Sequence, residues 1–197
     1  FSKKKIGSHG FAVCFSFHPV KNLGMPTGGL IAINHSKAKI FKKKIKARRW
    51  CGITNRNDDG YEVEEIGDNY YMNEFSAAIG LKQLQKLNKM NSIRKNIAKN
   101  YKKELHVDVK MPFTQDCSYH LYWIRVKNRK LFRQKMSEKG IQTGTHYRPI
   151  HTFSLYKTRI RLPVTERIGK EIVTIPMHPN LTEEEVDKII QLTNKFV

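Results

Sequence analysis

From Asn73 to about residue 104 the sequence returns an apolar side chain every three or four positions: Ala78, Leu81, Leu84, Leu87, Met90, Ile93, Ile97 and Tyr101. That spacing is one face of an α-helix, and at 3.6 residues per turn the run amounts to roughly nine turns. A rod of that length leaves the neighbourhood in which it starts, so it is expected to carry the chain from one packing unit into another. The sequence is therefore read as two domains. Residues 1–104 form the first and end in the connecting helix; residues 105–197 form a second, smaller one.

Before the long helix, Phe11–Phe17 (FAVCFSF) is nearly continuous in apolar and aromatic residues, which predicts a strand buried on both faces. Leu30–Ile33 (LIAI) predicts a second of the same kind. Asn34 to Ser36 offer N-cap chemistry to an amphipathic helix over 36–49, where Ala38, Phe41 and Ile45 recur among lysines. Residues 51–66 are polar, and Asn55, Asn57, Asp58, Asp59 and Gly60 predict a turn-rich loop. Beyond the long helix, Tyr119–Val126 (YHLYWIRV) predicts a strand and 128–139 a helix closed by Gly140. Residues 141–147 predict a short extended piece, 163–171 a helix opened by Pro163, and 173–175 another extended piece. Thr182 and Glu185 form a capping box for a last helix with Val186, Ile189, Ile190 and Leu192 on its apolar side.

Composition narrows the function classes. No apolar run approaches the roughly 18 residues needed to cross a bilayer, and no charged-then-apolar leader opens the sequence, which places the chain in the cytoplasm. Cys14, Cys51 and Cys117 stand far apart without a C-x-x-C pair, so they predict reduced thiols, with no disulfide framework and no metal site. The charge is +20, from 37 Lys+Arg against 17 Asp+Glu. Such a field attracts polyanions, and a basic nucleic-acid-binding module is the alternative reading. Against it, the lysines are spread along the chain, and neither zinc-finger spacing, an RNP-type aromatic strand nor a helix-turn-helix accompanies them.

Chemistry concentrates in Ser16-Phe17-His18-Pro19-Val20-Lys21-Asn22, where a strand ends at a polar turn and Gly28-Gly29 follow. A lysine at a strand exit, partly desolvated, is a candidate for amine chemistry with carbonyl groups. A neighbouring serine hydroxyl suits a phosphate. A lone lysine among so many is by itself more often a surface charge, so residue types alone favour that reading.

The segment SFHPVKN with its trailing Gly28-Gly29 resembles the signature of the DegT/DnrJ/StrS family of nucleotide-sugar aminotransferases. Three further stretches resemble that family in order and spacing: Gly67–Leu84 (GDNYYMNEFSAAIGLKQL), Gly144–His151 (GTHYRPIH) and Leu162–Thr182, which contains LP and PMHPNLT. The resemblance implies an α/β protein of the fold-type I pyridoxal phosphate-dependent aminotransferase class, with part of the large-domain sheet and the smaller α+β C-terminal domain. It implies pyridoxal 5'-phosphate as cofactor, Lys21 as the catalytic Schiff-base lysine, Ser16 as the phosphate-binding hydroxyl, and Asn69 as an amide reaching the phosphate of a neighbouring subunit. His146, Tyr147 and His151 fall where the family shapes its sugar-nucleotide pocket. The implied partners are a nucleotide-linked keto sugar, an amino donor such as glutamate, and a second copy bound through the large domain. The implied setting is nucleotide-sugar or polysaccharide biosynthesis.

Two positions depart from the family pattern: Thr27, after Pro26, stands where an acidic residue usually precedes Gly-Gly, and Tyr71 stands where the family has arginine. Lys21 itself argues against the family's dehydratase branch, which has histidine there. Family members are roughly twice this long, and the sequence is expected to begin just after the aspartate that pairs with the pyridine nitrogen. On that expectation the 197 residues alone are a non-catalytic fragment.

Overall fold

The computed structural model describes residues 4–197, so the opening Phe1-Ser2 and Lys3 of the first basic cluster lie outside the described residues. The chain divides into two compact units, Phe1–Leu87 and Asn88–Val197, and the division falls within the long helix.

In the first unit, strand β1 (Ala12–Ser16) pairs antiparallel with β2 (Gly29–Ile33), in a register that sets Ser16 opposite Gly29. Burial along β1 alternates, and Leu30 and Ile31 of β2 are about half exposed. The expectation of strands buried on both faces is therefore corrected. Among the described residues this is a ribbon of two strands, with no third strand paired to it.

Helix α1 (Ala38–Arg49) begins two residues later than expected, and its N-cap Lys37 makes no side-chain cap. Asn34 is used elsewhere: its Nδ2 donates to the carbonyls of Gly7 (2.7 Å) and His9 (3.2 Å). His35 substitutes as the local acceptor, taking the Lys37 N–H on Nδ1 at 3.0 Å. Lys46, Arg48 and Arg49 crowd the last turn, where positive charge complements the helix dipole.

The polar stretch read as a loop contains a hairpin, β3 (Ile53–Asn57) and β4 (Gly60–Val63). Its turn was legible: Asn57 Oδ1 accepts from the N–H groups of Asp59 and Gly60, each at 3.0 Å, a side chain imitating a backbone turn. The strands were not, because β4 and the last three residues of β3 are exposed and both lack the apolar alternation by which a strand is recognised.

Helix α2 (Glu74–Glu104) starts as expected, with Asn73 Oδ1 accepting from Ser76 N at 2.8 Å. Its apolar row divides. Ile97 and Tyr101 are buried, with Ile93 packed beside them, whereas Leu81 and Leu84 stand 65% and 54% exposed.

In the second unit, β5 (Tyr122–Arg125) pairs antiparallel with β6 (Ile172–Ile175), and Trp123 faces Thr174. Helices α3 (Arg129–Glu138), α4 (Pro163–Glu171) and α5 (Glu183–Phe196) complete the unit, and 3-10 turns occupy Ile150–Thr152 and Ser154–Tyr156. One core gathers Tyr101, Tyr122, Ile124, Phe132, Met136, Val173 and Ile189. The buried tyrosines keep their hydroxyls satisfied: Tyr101 donates to the Pro176 carbonyl (2.9 Å) and Tyr119 to that of Thr114 (3.0 Å). Burial also holds the Tyr122 phenol up at about 12, with Tyr119 adding to the shift.

Two of the predicted helix-end signals are realised in hydrogen bonds of this unit. At the end of α3, Gly140 takes φ +77°, its N–H reaches Ser137 O and that of Ile141 reaches Met136 O, each at 2.9 Å, closing a Schellman motif. At the start of α5, the Thr182 hydroxyl accepts from Glu185 N (3.2 Å) and Glu185 accepts from Thr182 N (2.9 Å).

These contacts rank two substitutions. Phe132→Ala removes a fully buried ring and is expected to cost about 3–5 kcal/mol, whereas Thr182→Ala, which opens one cap, is expected to cost about 1 kcal/mol. Equilibrium unfolding in denaturant, followed by far-ultraviolet circular dichroism, measures both against the wild-type chain.

Candidate functional site

Ser16 closes β1, and the chain then folds into a turn. Lys21 N donates to the His18 carbonyl at 2.8 Å, and Met25 N returns to the Phe17 carbonyl at 2.9 Å. The Ser16 hydroxyl accepts only a long contact from His18 N, 3.3 Å, and among the described residues its own proton has no acceptor. Gly24 permits the tight return, because a Cβ there would stand 2.4 Å from the Pro19 carbonyl oxygen. Lys21 is half-buried on this turn, five residues past the serine.

Phe17 N donates to Gly28 O at 3.0 Å, so the two glycines lie against the strand end that carries Ser16. Gly28 has φ +147°, and a Cβ there would meet Met72 Cε at 2.8 Å and Met25 Sδ at 3.0 Å. A cavity of about 540 Å³ opens beside the glycines, lined by Thr27, Gly28, Gly29 and Asn69 to Met72. Asn69 is held to it by an antiparallel bridge with Trp50 and by its Oδ1, which accepts from Tyr71 N at 3.3 Å. Its Nδ2 has no partner among the described residues. Ser16 and Asn69 thus flank one glycine pair, Ser16 by strand pairing and Asn69 by lining the cavity. A serine hydroxyl with a free proton at a strand end that lies against a glycine pair suits a phosphate, and the half-buried Lys21 on the same turn suits an aldehyde.

Tyr71, which stands in place of an arginine, lies beneath one: the Arg49 guanidinium sits 5.0 Å from its ring centroid, with Trp50 alongside at 5.7 Å. Nothing in the spacing of Arg49 and Tyr71 announces that pairing.

The three candidates in the second unit have different surroundings. His146 is half-buried, its Nδ1 2.7 Å from Thr174 Oγ1 and its ring edge-on to Tyr147 at 4.7 Å. Tyr147 itself is 67% exposed. His151 Nε2 faces Glu166 Oε1 at 3.4 Å, across the first turn of α4. The Leu162 N–H, with His151 and Arg161, holds the Glu166 carboxyl below the ordinary carboxylate range against an opposing desolvation effect. Thr174 is absent from the residues that the sequence singles out. Its only signal there was a threonine in a buried strand, which reads as a β-former.

No group of three or more His, Cys, Asp or Glu side chains that could hold a metal ion occurs among the described residues. Nor, among them, is any helix long and apolar enough to cross a membrane.

A model of the DegT/DnrJ/EryC1/StrS aminotransferase family matches residues 1–193. Among solved structures, the chain is similar to Helicobacter pylori PseC, an aminotransferase involved in the biosynthesis of pseudoaminic acid, with 28% identity and a TM-score of 0.90 over 100% of this chain and 56% of that one. It is similar to the putative sugar aminotransferase Spr1654 of Streptococcus pneumoniae in its PMP form, with 25% identity and a TM-score of 0.90 over 98% and 53%. The sugar aminotransferase CalS13 of Micromonospora echinospora gives 26% identity and a TM-score of 0.85 over 96% and 53%. The chain therefore spans about half the length of the solved proteins it matches.

The glycine pair is open to a direct test. At Gly28 a side chain meets both an unfavourable backbone angle and two methionines, so Gly28→Ala is expected to destabilise the first unit by about 1–3 kcal/mol. Hydrogen exchange read at the amides of β1 and β2 checks it. Faster exchange there, with α3 and α5 unchanged, is the expected result.

Proposed function

Since this chain belongs to the DegT/DnrJ/EryC1/StrS aminotransferase family, we propose that it serves the pyridoxal phosphate-dependent transfer of an amino group, from glutamate, to a keto group of a nucleotide-linked sugar. The fold is that of the family's fold-type I aminotransferases. The observation that carries the reading is the turn after β1: the Ser16 hydroxyl at the strand end, Lys21 on the turn, and Gly28-Gly29 returning against the strand.

Ser16 would hold the cofactor phosphate and Lys21 would anchor its aldehyde carbon through Nζ, while Asn69 would reach the phosphate bound by a neighbouring copy. When bound, pyridoxal phosphate supplies the electron sink that lets a proton leave the carbon bearing the amine. Lys21 Nζ, once freed by the incoming donor amine, takes that proton from the donor's α-carbon. In the second half-reaction it returns a proton to the sugar carbon that receives the amine, so one residue is both anchor and acid/base.

His146, Tyr147 and His151 take the nucleotide sugar. His146 offers Nε2, Tyr147 an exposed ring and hydroxyl, and His151 the nitrogen that Glu166 leaves, Nδ1. The +20 charge favours a diphosphate-bearing ligand. The same reading assigns residues 1–104 to the cofactor domain and 105–197 to the small domain, places the protein in the cytoplasm, and sets the activity in nucleotide-sugar or polysaccharide biosynthesis.

Two experiments test this. Borohydride reduction in the presence of pyridoxal phosphate, followed by peptide mapping, is expected to leave the pyridoxyl mass on the peptide containing Lys21. A label on another lysine with Lys21 unmodified overturns the assignment. The family further implies a homodimer in which Asn69 reaches the neighbour's cofactor. On that reading, mixed Lys21→Ala and Asn69→Ala subunits regain roughly a quarter of the wild-type activity, since half the random dimers are mixed and each has one intact site. No recovery after demonstrated subunit exchange counts against a shared site.

A further inference from the structure

We propose that Thr174 is a positioning residue for His146: its hydroxyl occupies Nδ1 and fixes the ring so that Nε2 is the nitrogen offered to the nucleotide-linked sugar. The proposal rests on the reading that His146 contacts that substrate.

Thr174 lies on β6 at 5% exposure, with Oγ1 2.7 Å from His146 Nδ1. The segment bearing the histidine is fastened directly to it. Gly144 N donates to Thr174 O, and Thr174 N donates to Gly144 O, both at 2.9 Å. Two residues past this bridge the chain reaches His146, and the ring folds back over the glycine onto the same threonine. Only glycine leaves room for that. A Cβ at position 144 would stand 2.6 Å from His146 Cε1, 2.6 Å from Thr174 Oγ1 and 3.0 Å from Nδ1. The backbone bridge, the missing Cβ and the hydroxyl act on one ring from three sides.

The element beneath is rigid. Thr174 pairs across the ribbon with Trp123, Val173 and Ile175 on either side are buried, and Pro176 just beyond accepts the hydroxyl of buried Tyr101 at 2.9 Å. A side chain held from such a strand keeps its geometry better than one held from a loop.

The chemistry follows from the two ring nitrogens being distinct, since the bond made by one decides what the other presents. With Nδ1 engaged by the threonine, Nε2 is left, and among the described residues it has no partner. Whether the hydroxyl donates to Nδ1 or accepts from it, the nitrogen facing a ligand is the same. The Thr174 hydroxyl likewise has no other partner among the described residues. Removing it leaves Nδ1 half-buried and unpaired, and the ring free to turn.

The test separates this proposal from the reading beneath it. On the full chain, 15N-edited NMR of the histidine rings, with His146 assigned from His146→Gln, reports its tautomer ratio. Thr174→Val, which keeps the branched shape and loses the oxygen, is expected to move that ratio toward the free-histidine value, and Thr174→Ser to retain it. In the cofactor-loaded enzyme, Thr174→Val is expected to raise KM for the nucleotide sugar about five-fold, the equivalent of one lost hydrogen bond, with a smaller fall in kcat and recovery in Thr174→Ser. An unchanged KM in His146→Gln removes the reading of His146 as a substrate residue. A raised KM in His146→Gln together with an unchanged His146 tautomer ratio in Thr174→Val overturns the positioning role of Thr174 alone.

Discussion

The second unit depends on a buried phenol. Tyr101 is fully enclosed, and a phenol hydroxyl in that position must find an acceptor or cost the unit a desolvated donor. It finds the carbonyl of Pro176, immediately past β6. Proline there has no N–H to give a neighbouring strand, so β6 ends and the Pro176 carbonyl turns to the helix instead. That one bond fixes β6 along its axis against α2. The register with β5 then places Thr174 opposite Trp123, and through Thr174 the Gly144 bridge and the His146 ring take their places.

The first unit is built on different terms. Its buried apolar residues are few, chiefly Met25 and Ala47, and Met25 is seated by glycines. A Cβ at Gly80 would stand 2.3 Å from Met25 Cε, and one at Gly28 3.0 Å from its sulfur. The unbranched thioether fills an irregular gap that a branched side chain would not fit. Local hydrogen bonding carries much of the rest: Asn34 ties the turn at Gly7 and His9, and Asn57 closes the hairpin. The turn bearing Lys21 is held by backbone bonds, Lys21 N to His18 O and Met25 N to Phe17 O.

The legibility of these features followed their range along the chain. Two helix ends could be read because a cap is written within four residues, Gly140 after α3 and Thr182 with Glu185 at α5, whereas Asn34, expected to cap α1, bonds to Gly7 and His9 instead. The extent of α4 could be read from Pro163. Burial could not. FAVCFSF is apolar enough for a strand covered on both faces, yet what covers a strand is decided by its neighbours in space, and the ribbon has one. The site divides in the same way. Ser16, Lys21 and the glycines lie within fourteen positions of one another and could be read as a motif. Thr174 acts on a histidine 28 residues away, and Arg49 on a tyrosine 22 away, and no local pattern encodes either pairing.

The β1–β2 ribbon has a consequence for the behaviour of the chain in solution. A two-stranded ribbon carries a row of outward-facing N–H and C=O groups along each outer edge, and here Leu30 and Ile31 add half-exposed apolar surface. Such an edge is a template for strands of other copies. What opposes it is charge. Helix α1 follows β2 directly and carries Lys39, Lys42, Lys43, Lys44, Lys46, Arg48 and Arg49, and the whole chain carries +20. Like-charged copies repel before their edges meet, so these lysines act as gatekeepers of an otherwise adhesive ribbon. That protection is a screened force, about 10 Å in reach at 0.1 M salt and about 3 Å at 1 M. Raising the ionic strength therefore shortens the reach of the repulsion between these charged faces.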